Sequence, residues 1–218
     1  MHLRVLLIGG GHSAYFAAET IKRIDLSGKL MIIEFTSEKV FVLSKLFPFA
    51  EIIQLDIDEV EEYIRANGRI LDAVVAATES DSLNLRYCKV AKESNIPLVI
   101  TIINNPLNAE IFLKEGIAFI VNPYKMIPIE LSEILDAKVN ILYSFHRIGV
   151  QVVSIKVGDR RLLSQLKKEM TKNRDLTALF VSPVGEITNS IDEVDVGWRA
   201  YVLGYEEKIK RLLRVVEG

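Results

Sequence analysis

Residues 5–14 read Val5-Leu6-Leu7-Ile8-Gly9-Gly10-Gly11-His12-Ser13-Ala14. An apolar run passes into three glycines and then into a segment that reads as a helix. A second apolar run, Leu30-Met31-Ile32-Ile33, ends in Glu34. This is the layout of a dinucleotide-binding βαβ unit. Glycine lets the backbone turn tightly and approach a phosphate, and the helix start offers free N–H groups at the positive end of its dipole. The pattern predicts an adenine nucleotide on the loop, with a tight turn that holds no ligand as the plain alternative.

Outward from this unit, strand and helix alternate. Strands are expected at 3–8, 29–34, 50–54, 72–77, 97–103 and 118–121, and helices at 12–25, 37–46, 57–67, 80–95, 106–115 and 124–136. Solid apolar strands between helices imply a doubly wound parallel sheet covered on both faces. Asn105-Pro106 places a cap residue before a proline at a helix start. The pattern then changes. Residues 150–157 partly alternate, a helix is expected at 160–172, strands at 177–182 and 198–203, and a closing helix at 205–215. The fold class is therefore α/β: a Rossmann-like domain over 1–136 and a small α+β domain over 137–218. Residues 136–148, with Asp136, Asn140 and His146-Arg147, read as a hinge or linker.

Composition narrows the partners. The net charge of −2 over 218 residues argues against nucleic acid or an acidic membrane surface as the main partner. A single cysteine, Cys88, permits no internal disulfide and points to a reducing compartment. The first strand begins near Leu3, leaving no room for a leader, and no apolar run reaches the about 20 residues of a spanning helix. A cytoplasmic chain with no direct membrane insertion is expected.

The candidate site follows from the strand ends. Gly9, Gly10 and Gly11 would approach phosphate. Ser13 either caps the helix or reaches a phosphate, and His12 either contacts phosphate or stands as an exposed loop histidine. Glu34 would accept hydrogen bonds from ribose hydroxyls and repel a 2′-phosphate; otherwise it is a solvated strand-end carboxylate. NAD(H), ATP, ADP or AMP are thus favoured over NADP(H). Asp56 either bonds the adenine side of a ligand or caps the helix after it. Small residues at Ala76-Ala77 would let a ligand lie against the fourth strand, with Thr78 or Ser80 capping the next helix. Cys88 sits mid-helix near Leu85 and Ala91 and reads as a buried, inert thiol. His2, His12 and His146 show no metal-ligand spacing. No catalytic pair, G-x-S-x-G element or P-loop lysine is visible, which points to binding rather than turnover.

Residues 72–85, Asp72-Ala73-Val74-Val75-Ala76-Ala77-Thr78-Glu79-Ser80-Asp81-Ser82-Leu83-Asn84-Leu85, resemble the fourth-strand signature of TrkA/KtrA-type proteins, the regulator-of-potassium-conductance (RCK) family. Ile103-Asn104-Asn105-Pro106 with Ala109-Glu110-Ile111-Phe112 is similar to the segment after the fifth strand. Gly116-Ile117 through Asn122-Pro123 is similar to that of the sixth. Gly185-Glu186, Val196-Gly197 and Val202-Leu203-Gly204-Tyr205-Glu206-Glu207 resemble the family's C-terminal domain. The resemblance implies a cytosolic regulatory subunit that binds NAD(H) or ATP/ADP, forms homodimers or larger rings, and gates an integral-membrane potassium transporter or channel. In some members the C-terminal domain binds a second ligand such as cyclic di-AMP. By position, Gly9, Gly11, His12 and Ser13 would line the phosphates, Glu34 the ribose, and Asp56 and Ile57 the adenine, with Thr78 and Glu79 closing the site. Two positions depart from the family. Leu55 stands where a glycine is usual, and Ile102 stands where an arginine often neutralises phosphate, which should weaken ATP more than NAD or AMP.

The resulting expectation is a nucleotide-sensing regulatory subunit, not an enzyme, peripheral at the inner face of the membrane through its partner. The alternatives are an NAD-dependent oxidoreductase and a sensor acting on a partner unrelated to potassium.

Overall fold

A computed structural model describes residues 2–24, 28–145, 148–173 and 175–217. Asp25, at the end of the expected first helix, and His146-Arg147 of the expected linker lie outside the described residues. The chain divides into two compact units, Met1–Tyr124 and Lys125–Gly218.

The first unit runs β1 (Arg4–Ile8), α1 (His12–Ile24), β2 (Lys29–Glu34), α2 (Ser37–Leu46), β3 (Glu51–Gln54), α3 (Val60–Asn67), β4 (Ala73–Ala76), α4 (Asp81–Glu93), β5 (Leu98–Ile102), α5 (Ala109–Lys114) and β6 (Phe119–Val121). Its strands form one sheet in the order β3-β2-β1-β4-β5-β6, and every pairing is parallel. The apolar blocks are explained by burial on both faces. Alternate residues of a strand point to opposite sides. Val5 and Leu7 join Ala14, Ala18 and Phe47 on one side, while Leu6 and Ile8 join Ile64, Tyr87, Cys88 and Phe112 on the other.

Register positions the site. Ile8 lies beside Ile33 on one flank and Ala76 on the other. The next residues, Gly9, Glu34 and Ala77, therefore emerge at one edge of the sheet. From β1 the chain order runs outward in both directions, and such a reversal leaves a crevice at the strand ends.

The second unit holds α6 (Met126–Ile134), β7 (Val139–Phe145), β8 (Val150–Lys156), α7 (Arg160–Lys172), β9 (Thr177–Val181), β10 (Ile187–Thr188), β11 (Arg199–Tyr205) and α8 (Glu206–Glu217). Its antiparallel sheet has the order β10-β9-β11-β8-β7. Val153, Ile155, Phe180 and Val202 pack against Leu162 and Leu166 of α7 and Ile209 and Leu212 of α8. Asp159 caps α7, accepting from the Leu162 N–H at 2.7 Å.

Several expectations change. Residues 139–145 are an edge strand, not linker, paired with β8 through a bulge at Ile141/Tyr143. Asn140, which read as linker punctuation, is buried and donates to Ile129 O at 3.0 Å. That bond, with Ser154 Oγ donating to Glu133 Oε1 at 2.9 Å, ties α6 to the second sheet. The units accordingly divide after Tyr124 rather than after residue 136. The expected helix from 57 starts at Val60. Glu59 N–H donates to Asp56 O at 3.0 Å and Asp56 N–H donates to the Glu59 carboxylate at 2.8 Å, so residues 56–59 form a turn first. Asp56 therefore does not cap α3. The helix expected at 106–115 opens with a 3-10 turn, Pro106–Asn108, capped by Asn105 accepting from Leu107 N–H at 3.0 Å.

Candidate functional site

Gly9 is held by its surroundings. Its φ is +117°, and a Cβ there would lie 2.7 Å from Ala77 O. The loop thus passes directly over β4, and only glycine fits. A Cβ on Gly10 would meet Glu34 Oε2 at 2.5 Å. The loop and the Glu34 carboxylate are packed together, which the spacing of residues 9–34 does not disclose.

The three glycines, Glu34, Phe35, Thr36, Lys39, Ile57, Thr78, Glu79, Ser80 and Leu83 line one open cleft of about 250 Å³. Glu34 is buried rather than solvated, and its Oε1 accepts from Thr36 N–H and Thr36 Oγ1, both at 3.1 Å. Ala77 lies beneath Gly9, its N–H donating to Ile8 O at 2.9 Å. Asp56 falls outside the described lining, because the turn at 56–59 presents Ile57 to the cleft. Ser13 flanks the other side of the α1 start, in an apolar groove with Phe16, Val75 and Ile102, whereas His12 borders both that groove and a second one that it shares with Gly10, Gly11, Lys39 and Glu79. The first turn of α1 carries no acidic side chain to offset its dipole.

A hydrogen-bond network holds the far wall. Asn84, fully buried on α4, accepts from Thr78 N–H at 2.8 Å and Thr78 Oγ1 at 2.7 Å, and donates to Thr78 O at 3.1 Å and Ile102 O at 3.2 Å. Asn104 Nδ2 also donates to Thr78 O, at 2.9 Å. The Asp81 carboxylate receives Asn104 N–H at 2.7 Å, Asn105 N–H at 2.9 Å and Asn108 Nδ2 at 2.8 Å. Partial burial works against its charge, but these backbone and side-chain donors prevail and hold its pKa below the ordinary carboxylate value. Ser80 caps α4 through Leu83 N–H, leaving Thr78 to the network. Lys39, Asn84, Asp81 and Asn104 were not singled out as site residues from sequence. The available signal was Asn84 itself, an amide on the same stripe as Cys88 and Ala91.

The departures at 55 and 102 have packing roles. Leu55 packs on the core beneath one sheet face. Ile102, 9% exposed, belongs to the core of the other. Burial pushes the Cys88 thiol up to about 12, so it is un-ionised at neutral pH. No group of three or more His, Cys, Asp and Glu residues among the described residues is placed to hold a metal ion. No helix among them is long and apolar enough to cross a membrane.

A parallel sheet reversing at a glycine loop, with a carboxylate closing its second strand, places the first unit in the Rossmann-like class. Residues 5–123 match the TrkA-N domain, and the chain belongs to that family. It is similar to a Trk system potassium uptake protein TrkA homologue of Archaeoglobus fulgidus, 27% identical over 173 residues, which are 79% of this chain and 39% of that protein. A second homologue so named, from Methanothermobacter thermautotrophicus, is 40% identical over 68 residues, 31% of this chain and 30% of that protein. The match thus covers well under half the length of either relative. In fold it is similar to the RCK domain of GsuK, with a TM-score of 0.60 at 11% identity, covering 100% of this chain and 48% of that one. The match to a GsuK channel bound to NAD has the same TM-score at 12% identity, covering 99% and 40%.

Proposed function

We propose that the first unit binds an adenine nucleotide, NAD(H) or ATP/ADP/AMP, and that the chain is a regulatory subunit rather than an enzyme. The observation that carries this is the cleft in which the Gly9–Gly11 loop and the Glu34 carboxylate meet. Phosphate would lie on the loop at the α1 start, ribose against Glu34 and adenine by Ile57, with Thr78 and Glu79 closing the site. Ala77 would form its floor and His12 and Ser13 its border. Relatives named as Trk potassium uptake proteins, and GsuK structures described as bound to NAD and to ADP, support the reading. The partner would be an integral-membrane potassium transporter or channel, engaged at its cytoplasmic side by a homodimer or larger ring. A nucleotide that binds one arrangement of the assembly better would shift its population. With Ile102 buried and apolar, ATP gains no cation from β5, so ADP, AMP or NAD(H) would bind at least as tightly as ATP.

Native mass spectrometry of the purified chain, followed by calorimetric titration with NADH, ATP, ADP and AMP, tests this. A dimer or higher ring with one of these ligands bound per chain is expected. A monomer that binds none of the four would overturn the reading.

A further inference from the structure

The cleft carries its own counter-ion pair. Lys39, in the first turns of α2, and Glu79, just past β4, reach across the opening, with Nζ 3.5 Å from Oε1. Glu79 Oε1 also rests over the loop: a Cβ on Gly11 would lie 2.9 Å from it. The carboxylate therefore occupies the place over the third glycine, beside the N-terminus of α1, where a ligand phosphate is expected. Lys39 is the only lysine or arginine among the described residues lining the cleft, against the carboxylates of Glu34 and Glu79. Neither Lys39 nor Glu79 is locked in place, since their side chains are 45% and 76% exposed.

We propose that in the empty cleft Glu79 is an internal stand-in for phosphate, holding Lys39 until a nucleotide displaces its carboxylate from over Gly11 to the rim, where it closes the site. Lys39 then becomes the cation that meets the incoming phosphate, the role for which β5 offers only Ile102. This rests on the nucleotide reading above and adds a ligand-selection device to it. Swinging Glu79 aside costs little because an exposed ion pair is weak. Its charge nonetheless disfavours phosphate in proportion to phosphate charge, whereas an uncharged nucleoside escapes the penalty. The device sets the cleft to favour ligands with one or two phosphates over ATP.

The test is calorimetry with adenosine, AMP and ADP on the full chain and on Glu79→Gln and Lys39→Gln, with far-UV circular dichroism melts confirming the fold. Glu79→Gln is expected to tighten ADP about three- to tenfold and adenosine less than about twofold, with the ADP gain shrinking in 0.5 M KCl. Lys39→Gln is expected to weaken ADP by about the same factor and leave adenosine unchanged. If Glu79→Gln weakens ADP, or shifts adenosine and ADP equally, the stand-in role is overturned while nucleotide binding itself stands. If no protein of the three binds AMP or ADP, this proposal fails, and the nucleotide reading fails with it only where NADH and ATP are not bound either.

Discussion

Replacing Asn84 by alanine would disconnect the far wall of the cleft. The amide makes four hydrogen bonds while fully buried. After truncation, Thr78 O keeps its bond from Asn104 and Thr78 Oγ1 can still donate to Ser80 O at 3.1 Å. The Thr78 N–H and the Ile102 carbonyl lose the partner that Asn84 supplied. A buried polar group without a partner costs about 1–3 kcal/mol, so the two together predict a loss of about 2–6 kcal/mol. That is a large share of the roughly 5–15 kcal/mol stability of a domain. The Thr78–Glu79 segment would also lose its anchor. Re-ordering a residue or two on binding costs about 1–2 kcal/mol each, about 1–4 kcal/mol in all, which predicts nucleotide affinity weaker by about fivefold to several-hundredfold. Urea unfolding followed by far-UV circular dichroism measures the first quantity and calorimetry the second. Asn104→Ala is the control: Thr78 O would retain Asn84, and a loss near 1 kcal/mol is expected. A loss below about 1 kcal/mol for Asn84→Ala would refute the reasoning, because it would show that Thr78 and Ile102 do not depend on the amide.

Two further outcomes are expected. Gly9→Ala combines an unfavourable positive φ with a Cβ 2.7 Å from Ala77 O; a destabilisation of about 2–5 kcal/mol and lost nucleotide binding are expected, and unaltered melting and affinity would contradict the close approach of loop and β4. The depressed pKa of Asp81 means that the native state prefers its carboxylate, so its contribution is present above the unfolded value of about 3.9 and is lost as pH falls through the lower folded value. Urea midpoints from pH 7 to 2.5 should show Asp81→Asn less stable than the wild type at neutral pH, with the gap closing in acid; a gap independent of pH would count against the carboxylate clamp.

The dinucleotide-binding βαβ reading rests on motifs that are local in the chain. A strand, a glycine loop and a helix start are contiguous, so their chemistry can be read from ten residues. The acidic end of β2 follows from one more turn of the same unit. The apolar strands likewise announce a two-faced sheet, because parallel strands covered by helices lack polar alternation. What escaped local reading depends on contacts between distant residues. Residues 136–148 read as linker from Asp136, Asn140 and His146-Arg147, yet the fold buries the Asn140 amide against α6 and turns Val139–Phe145 into an edge strand.

The sequence by itself thus determined the Rossmann-like sheet, the glycine loop and the carboxylate beside it, since each follows from short-range periodicity and backbone freedom. Tertiary structure alone decided how the cleft is closed. Lys39 and Glu79 are 40 residues apart and meet only because α2 and the β4 end share one edge of the sheet. Asn104 reaches Thr78 across 26 residues because β5 lies beside β4. Ile102 and Leu55, departures in sequence, are core side chains in space. A pattern along the chain records which groups are present, but the charge balance over the glycine loop depends on which of them the fold brings together.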